Sequence, residues 1–331
     1  MTGQGAMRRV AKGDGVGNII VEAAPIPSPG PRQVLVRNRR TLISRGSEIG
    51  RRYFDPHAVD PAIMGYSSAG TVAATGDAVT EFAVGQRVAL LAPHAEYVLG
   101  DLADDARTIA IPDGIDFTTA TFHPLATGAV MWAKIAGVQP GDTVAILGQG
   151  LVGNLVMQAL RPYGAGRIVA IDALPLRCAL AGQLGADVVI NAAERDPVRA
   201  VLDLTGGRGA DVVIDCVGGK AGVRSFAQAL DLCRPLGRIH LIALYHGEPL
   251  PLDSSKMQRK LLIGGYFTDE PRAPFAHEAL AMLGDGRLQV APLLTHTFPF
   301  TAAKAAFDLL YERSGEALGV VLTWDEEGDR R

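Results

Sequence analysis

Residues 144–173, VAILGQGLVGNLVMQALRPYGAGRIVAIDA, constrain the fold more than any other stretch of the chain. A short apolar run ends in a glycine-rich turn, an apolar-faced helix follows, and a second apolar run closes the segment. Two further runs of this kind, ADVVINA and ADVVIDCVGG, come later. Strands that are apolar on both faces need cover on both sides, and their alternation with helices predicts a parallel sheet between two helical layers.

The glycines in the turn have spacing as well as number. Gly148, Gly150 and Gly153 match G-x-G-x-x-G between strand and helix. Gly148 permits the tight turn, Gly150 lets a pyrophosphate approach the backbone, and Gly153 lets helix and strand pack closely. The helix N-terminus then faces the phosphates. Asp172 closes the next strand about 20 residues beyond the third glycine, where a carboxylate accepts hydrogen bonds from the adenosine ribose and repels a 2′-phosphate. This predicts NAD rather than NADP, with Arg177 either against the adenosine or paired on a helix surface. A sheet of the same type that holds no nucleotide is the alternative.

Upstream the texture differs. VLVRNRRTLI, SAGTVAATG, QRVALLA and AEYVL are short β segments cut by glycine and proline, as in a β-rich domain with a wet face. One helix is expected from about Asp116 to Ala136, with Asp116 as its N-cap. RKLLIGGYF adds edge-like strand, APFAHEALAMLGDGRL a helix ending at Gly284, and HTFPFTAAKAAFDLLYERSG a strand, a turn and a helix. The expected division is residues 1–124 with 270–331 as one domain, and 125–269 as the nucleotide-binding domain.

At 331 residues, 48% apolar and 20% charged, the chain has ample material for two cores. A net charge of -3 offers no positive field to nucleic acid or an anionic membrane. Cys178, Cys216 and Cys233 form no disulfide framework, and Cys216, at the end of an apolar strand, is expected as a small buried hydrophobe. With no signal-like apolar segment at the start, a cytoplasmic setting is expected.

RGSE, MGYSSAGTV, GQRVAL, HAEYV, HPLATGAVMWA, GDTVAILGQGLVGN, VVIDCVGG and THTFPF occur in an order that resembles the medium-chain dehydrogenase/reductase superfamily from Val10 to Trp324. The resemblance implies a GroES-like catalytic domain, completed by the C-terminal segment, and a Rossmann coenzyme domain. It also implies that Leu151, Val152, Cys216, Val217, Ala243 and Thr127 line the cofactor, with Thr127 against the nicotinamide. Three positions depart from the zinc-dependent pattern: Arg45 replaces the first ligand, Tyr66 the second, and His123 falls on the third. A single possible ligand is too few for a catalytic zinc site. The four-cysteine lobe of many relatives is missing between Ala89 and Val98.

Without the metal, side chains must accept the alcohol proton and polarise its oxygen. Tyr66 either holds that oxygen or acts as acid/base, provided nearby positive charge lowers its pKa; alternatively it packs under the cofactor. His123 is the first candidate for general base, since an imidazole can change charge near neutrality; capping or packing is its other role. Ser47 relays the proton or bonds its own turn, and Arg45 replaces the metal's charge or turns outward. Glu48 is expected to orient Arg45 or His123, or to form a surface ion pair. Arg51, Arg52, Tyr53, His57, His94, Tyr245 and His246 either line the pocket or face water.

The expected function is NAD(H)-dependent interconversion of a secondary alcohol, such as a polyol, sugar or cyclic alcohol, and its ketone. Reduction of an activated C=C bond or a quinone is the alternative, and an NAD-binding protein without turnover is the third. A homodimer or tetramer is expected through the RKLLIGGYF edge.

Overall fold

Alternation of aliphatic and polar residues makes strands of several stretches in the first hundred residues. The computed structural model describes residues 5–102, 107–244 and 249–324. They form two compact units. One takes the described residues up to Thr127, Arg272–Gly286 and those from Val290 onward; the other takes Gly128–Pro271 and Arg287–Gln289. In the first unit β1 (Ala6–Lys12) and β2 (Ile19–Pro25) form an antiparallel hairpin. Then come β3 (Gln33–Leu42), β4 (Ser68–Thr75), β5 (Arg87–Leu90), β6 (Tyr97–Asp101) and β7 (Thr108–Ala110).

Two helices, α1 (Phe117–Ala120) and α2 (His123–Ile135), stand where one was expected from Asp116 to Ala136. Asp116 does cap: its Oδ1 accepts the Thr119 N–H at 2.7 Å. The chain then tightens, with the Phe122 N–H reaching Thr119 O at 3.1 Å and the Thr121 hydroxyl donating to Thr118 O at 2.7 Å. Pro124 is the cause. It has no N–H for the Ala120 carbonyl and would clash with it in a continuous helix, but it suits the first turn of a new one.

The second unit alternates strand and helix as the apolar runs require: β8 (Thr143–Leu147), α3 (Leu151–Ala159), β9 (Arg167–Asp172), α4 (Pro175–Gln183), β10 (Val188–Asn191), α5 (Pro197–Leu204), β11 (Ala210–Asp215), α6 (Lys220–Leu232), β12 (Cys233–Leu241) and β13 (Leu261–Gly264). All six strands are parallel, in the order β10-β9-β8-β11-β12-β13. Ala145, Val169, Ile171, Val213 and Ile239 of the sheet pack with Ala200, Val201, Phe226 and Leu230 of α5 and α6. The order reverses between β8 and β11, which opens a crevice at their carboxyl ends. Cys216 lies one residue past β11 and is partly exposed, so it is not the fully buried hydrophobe expected.

The remaining elements, α7 (Ala273–Gly284), β14 (Leu294–Pro299), α8 (Ala303–Glu312) and β15 (Gly319–Thr323), belong to the first unit. Its large sheet runs β14-β15-β3-β4-β5-β7, with β6 also paired to β3. β15 lies antiparallel to β3, Val321 opposite Leu42, and the Trp324 indole donates to Thr41 Oγ1 at 2.9 Å. The turn after β3 rests on a core of Ile43, Ile49, Met64, Phe307, Leu310, Val320 and Leu322. Burial of each such side chain contributes up to roughly 1.5–3 kcal/mol, which anchors the turn from below.

Candidate active site

In the second unit, the loop between β8 and α3 is shaped by its three glycines. Gly148 has φ +86°, and a Cβ there would meet Val217 Cγ2 at 2.7 Å. A Cβ at Gly153 would fall 1.9 Å from Gly148 O, so helix and strand approach as only glycine allows. At Gly150 a Cβ would meet nothing within 4 Å, leaving open backbone at the first turn of α3. Leu151 is buried behind this turn and Val152 is partly exposed. Such a cradle fits the pyrophosphate of a dinucleotide.

Asp172 ends β9 with 8% of its surface exposed. Its Oδ2 accepts the Gln149 N–H at 2.7 Å and its Oδ1 the Leu174 N–H at 2.9 Å, tying the glycine loop to the end of β9. Arg177 Nη1 lies 3.7 Å from Asp172 Oδ2, while its Nε and Nη2 are buried without hydrogen-bond partners. Those orphaned donors suit an acceptor-rich ligand beside Asp172. The crevice has a further organiser that the sequence analysis did not single out. Asp215, fully buried at the end of β11, accepts the Val217 N–H and the Ser225 hydroxyl through Oδ1, and the Ile242 and Ala243 N–H groups through its carbonyl. Cys216, Val217 and Ala243 are therefore held together at the switch point.

In the first unit the Arg45–Ile49 stretch forms a single wide helical turn, closed by Ile49 N–H to Ser44 O and Gly50 N–H to Arg45 O. Ser44 caps it, its Oγ accepting the Ser47 N–H at 3.3 Å. The Tyr66 hydroxyl donates to the same oxygen at 3.2 Å. Tyr66, Ser47 and Arg45 are partly exposed, and Gly46 is exposed.

Glu48 has a different role from the one expected. It is fully buried, with Oε2 accepting the Ser44 N–H at 2.7 Å and Oε1 lying 3.0 Å from His94 Nε2. A carboxylate at zero exposure needs strong partners for both oxygens, and His94 with the Ser44 N–H supplies them. At zero exposure it makes no surface ion pair. His123 is also fully buried; its Nδ1 lies 3.3 Å from Thr127 Oγ1, whose hydroxyl donates to His123 O at 2.8 Å. Thr127 is thus bonded within its own helix. Tyr53 is buried and donates to Asp308 Oδ1 at 2.9 Å, a structural role. Tyr245 and His246 lie outside the described residues.

Sequence patterns missed Ser44 and left His94 unassigned. The serine had a local signal, a capping residue followed by an acid four positions on. The histidine had none, because its partner is 46 residues away. A zinc ion does not fit this set. Arg45 and Tyr66 stand at two of the three ligand positions, and among the described residues no three His, Cys, Asp or Glu side chains gather to hold a metal.

A parallel sheet with a phosphate cradle and a ribose-type acid, in a chain with a separate β-rich unit, defines a dinucleotide-dependent oxidoreductase. Residues 30–122 match the alcohol dehydrogenase GroES-like domain, and residues 152–283 the zinc-binding dehydrogenase domain. Across 97% of this chain and 97% of the relative, the sequence is 31% identical to L-threonine 3-dehydrogenase of Symbiobacterium thermophilum. It is 26% identical to sorbitol dehydrogenase of Bacillus subtilis, covering 92% of this chain and 94% of that one. Alcohol dehydrogenase of Thermus sp. ATN1 is similar in structure with a TM-score of 0.81 and 25% identity, over 96% of this chain and 99% of that one. The chain belongs to the medium-chain dehydrogenase/reductase superfamily. It is an enzyme of the alcohol dehydrogenase-like family.

Proposed function

We propose that the enzyme interconverts a secondary alcohol, a polyol or cyclic alcohol among them, and its ketone, with protein side chains in place of a catalytic zinc. The observation that carries this reading is Tyr66, a partly exposed residue whose hydroxyl lies 3.2 Å from Ser44 Oγ on the turn that provides a metal ligand in zinc-dependent relatives. NAD supplies the hydride acceptor, and NADH the donor in reverse. Gly148, Gly150, Gly153 and Asp172, with Leu151, Val152, Arg177, Cys216, Val217 and Ala243, hold it. Tyr66 bonds the substrate oxygen and moves its proton. Ser44 Oγ, itself fixed by the Ser47 N–H, keeps the phenol in place. The Ser47 hydroxyl and Arg45 assist at the same oxygen. His123 is the second candidate base, but its complete burial puts it behind Tyr66 in order of access.

The test is an activity screen of metal-free protein with NAD and NADP against sorbitol, L-threonine, isopropanol and cyclohexanol, paired with metal analysis of the untreated protein. The expected result is NAD-dependent oxidation that chelation leaves intact. Stoichiometric zinc with activity restored by the ion would overturn the metal-free reading. Inactivity on every alcohol, together with NADH-dependent reduction of an enone or quinone, would move the enzyme to reductase chemistry. Three free cysteines support a reducing, cytoplasmic setting, and among the described residues no helix is long and apolar enough to cross a membrane. The β13 edge supports a homodimer.

A further inference from the structure

The Glu48–His94 pair is the polar feature of the turn that the chemistry above leaves unused. Both side chains have zero exposure. His94 Nδ1 is buried without a hydrogen-bond partner. A proton there would be an orphaned donor, so the neutral ring carries its proton on Nε2, aimed at Glu48 Oε1 3.0 Å away. The other oxygen of Glu48 accepts the N–H of Ser44, the residue whose hydroxyl meets Tyr66.

His94 also touches the segment that carries Tyr66. Its backbone N–H donates to Met64 O at 2.7 Å, and its ring stands edge-on to Phe307, centroids 6.1 Å apart. Gly65 lies against it so closely that a Cβ would fall 2.8 Å from His94 N and 2.9 Å from its Cγ; the φ of +95° at Gly65 likewise favours glycine. The ring therefore braces both partners of the Tyr66–Ser44 hydrogen bond, Tyr66 by lying against Gly65 and Ser44 through Glu48, while the backbone of His94 holds Met64. We propose that His94 is a positioning residue for the reaction, setting the separation of the Tyr66 phenol and the Ser44 hydroxyl. This rests on the reading of Tyr66 as the group at the substrate oxygen.

The full chain, labelled with meta-fluorotyrosine, provides the test, with the Tyr66 fluorine resonance assigned by its loss in Y66F. H94F keeps a ring against Phe307 but removes the N–H to Glu48, whereas H94Q keeps an amide N–H in reach. H94F is expected to shift the Tyr66 resonance and to lower kcat by about 100-fold, with the KM for NAD within about twofold, on whichever of sorbitol, L-threonine, isopropanol or cyclohexanol has the highest kcat/KM. H94Q is expected to recover kcat at least about tenfold over H94F. An unmoved resonance with unchanged kcat in H94F, or an H94Q as impaired as H94F, would overturn the proposal. If H94F does not melt cooperatively, the double variant E48Q/H94F, which removes the buried charge, takes its place with the same expectations. Y66F with full turnover would sink the role of Tyr66 alone, while the fluorine shift would still judge the bracing by His94.

Discussion

Tyr53 illustrates how burial converts one side chain into a pH limit. Desolvation first, then its hydrogen bond to Asp308, pushes the phenol well above its ordinary range. The native state therefore keeps a proton that the unfolded chain loses near pH 10, so stability falls as pH rises above that value and is unaffected below it. Thermal melts between about pH 8 and 11 are expected to show a decline above about pH 10 that is shallower in Y53F. Asp172 carries a second prediction at this scale: D172S is expected to narrow the NAD-to-NADP ratio of kcat/KM by at least about tenfold, since a charged hydrogen bond is worth ~1.5–3 kcal/mol. An unchanged ratio would remove Asp172 from cofactor selection. The place of Asp172 at the end of β9 was legible because it follows from local spacing after a glycine turn. The pairing of Glu48 with His94 was not legible, because folding alone brings together two residues 46 positions apart.

Among elements, the apolar strands were the easiest to read, because a run such as TVAIL has no polar face to offer water and so fixes its place in a covered sheet. The division of the expected helix at Thr121 was harder: Asp116 signalled the start, but the effect of Pro124 depended on where the first turn ended. The contact between α3 and β8 was readable in principle from Gly153, and its tightness is what the structure adds. G153A would push a methyl group into Gly148 O, forcing α3 away from the cradle. Destabilisation of ~1–3 kcal/mol is expected, with weakened NAD binding. Chemical denaturation and calorimetric titration with NAD check both, and wild-type values for the pair would mean that the loop absorbs the methyl group.

At the scale of the molecule, β13 ends the six-stranded sheet and leaves Leu261 53% and Leu262 36% exposed. An edge with such residues is a site for pairing with another copy. Light scattering after gel filtration is expected to give a dimer that L261K/L262K converts to monomer; a wild-type monomer at every concentration would refute the pairing. The first unit has a different exposure, in time. Its sheet needs β15, residues 319–323, beside β3, residues 33–42, and everything in the second unit is synthesised between them. As the chain emerges from the ribosome, the second unit has all its strands first, while Arg40–Leu42 of β3, beyond the stretch that β6 covers, await a partner made about 280 residues later. Slower assembly is therefore expected of the unit that carries Tyr66.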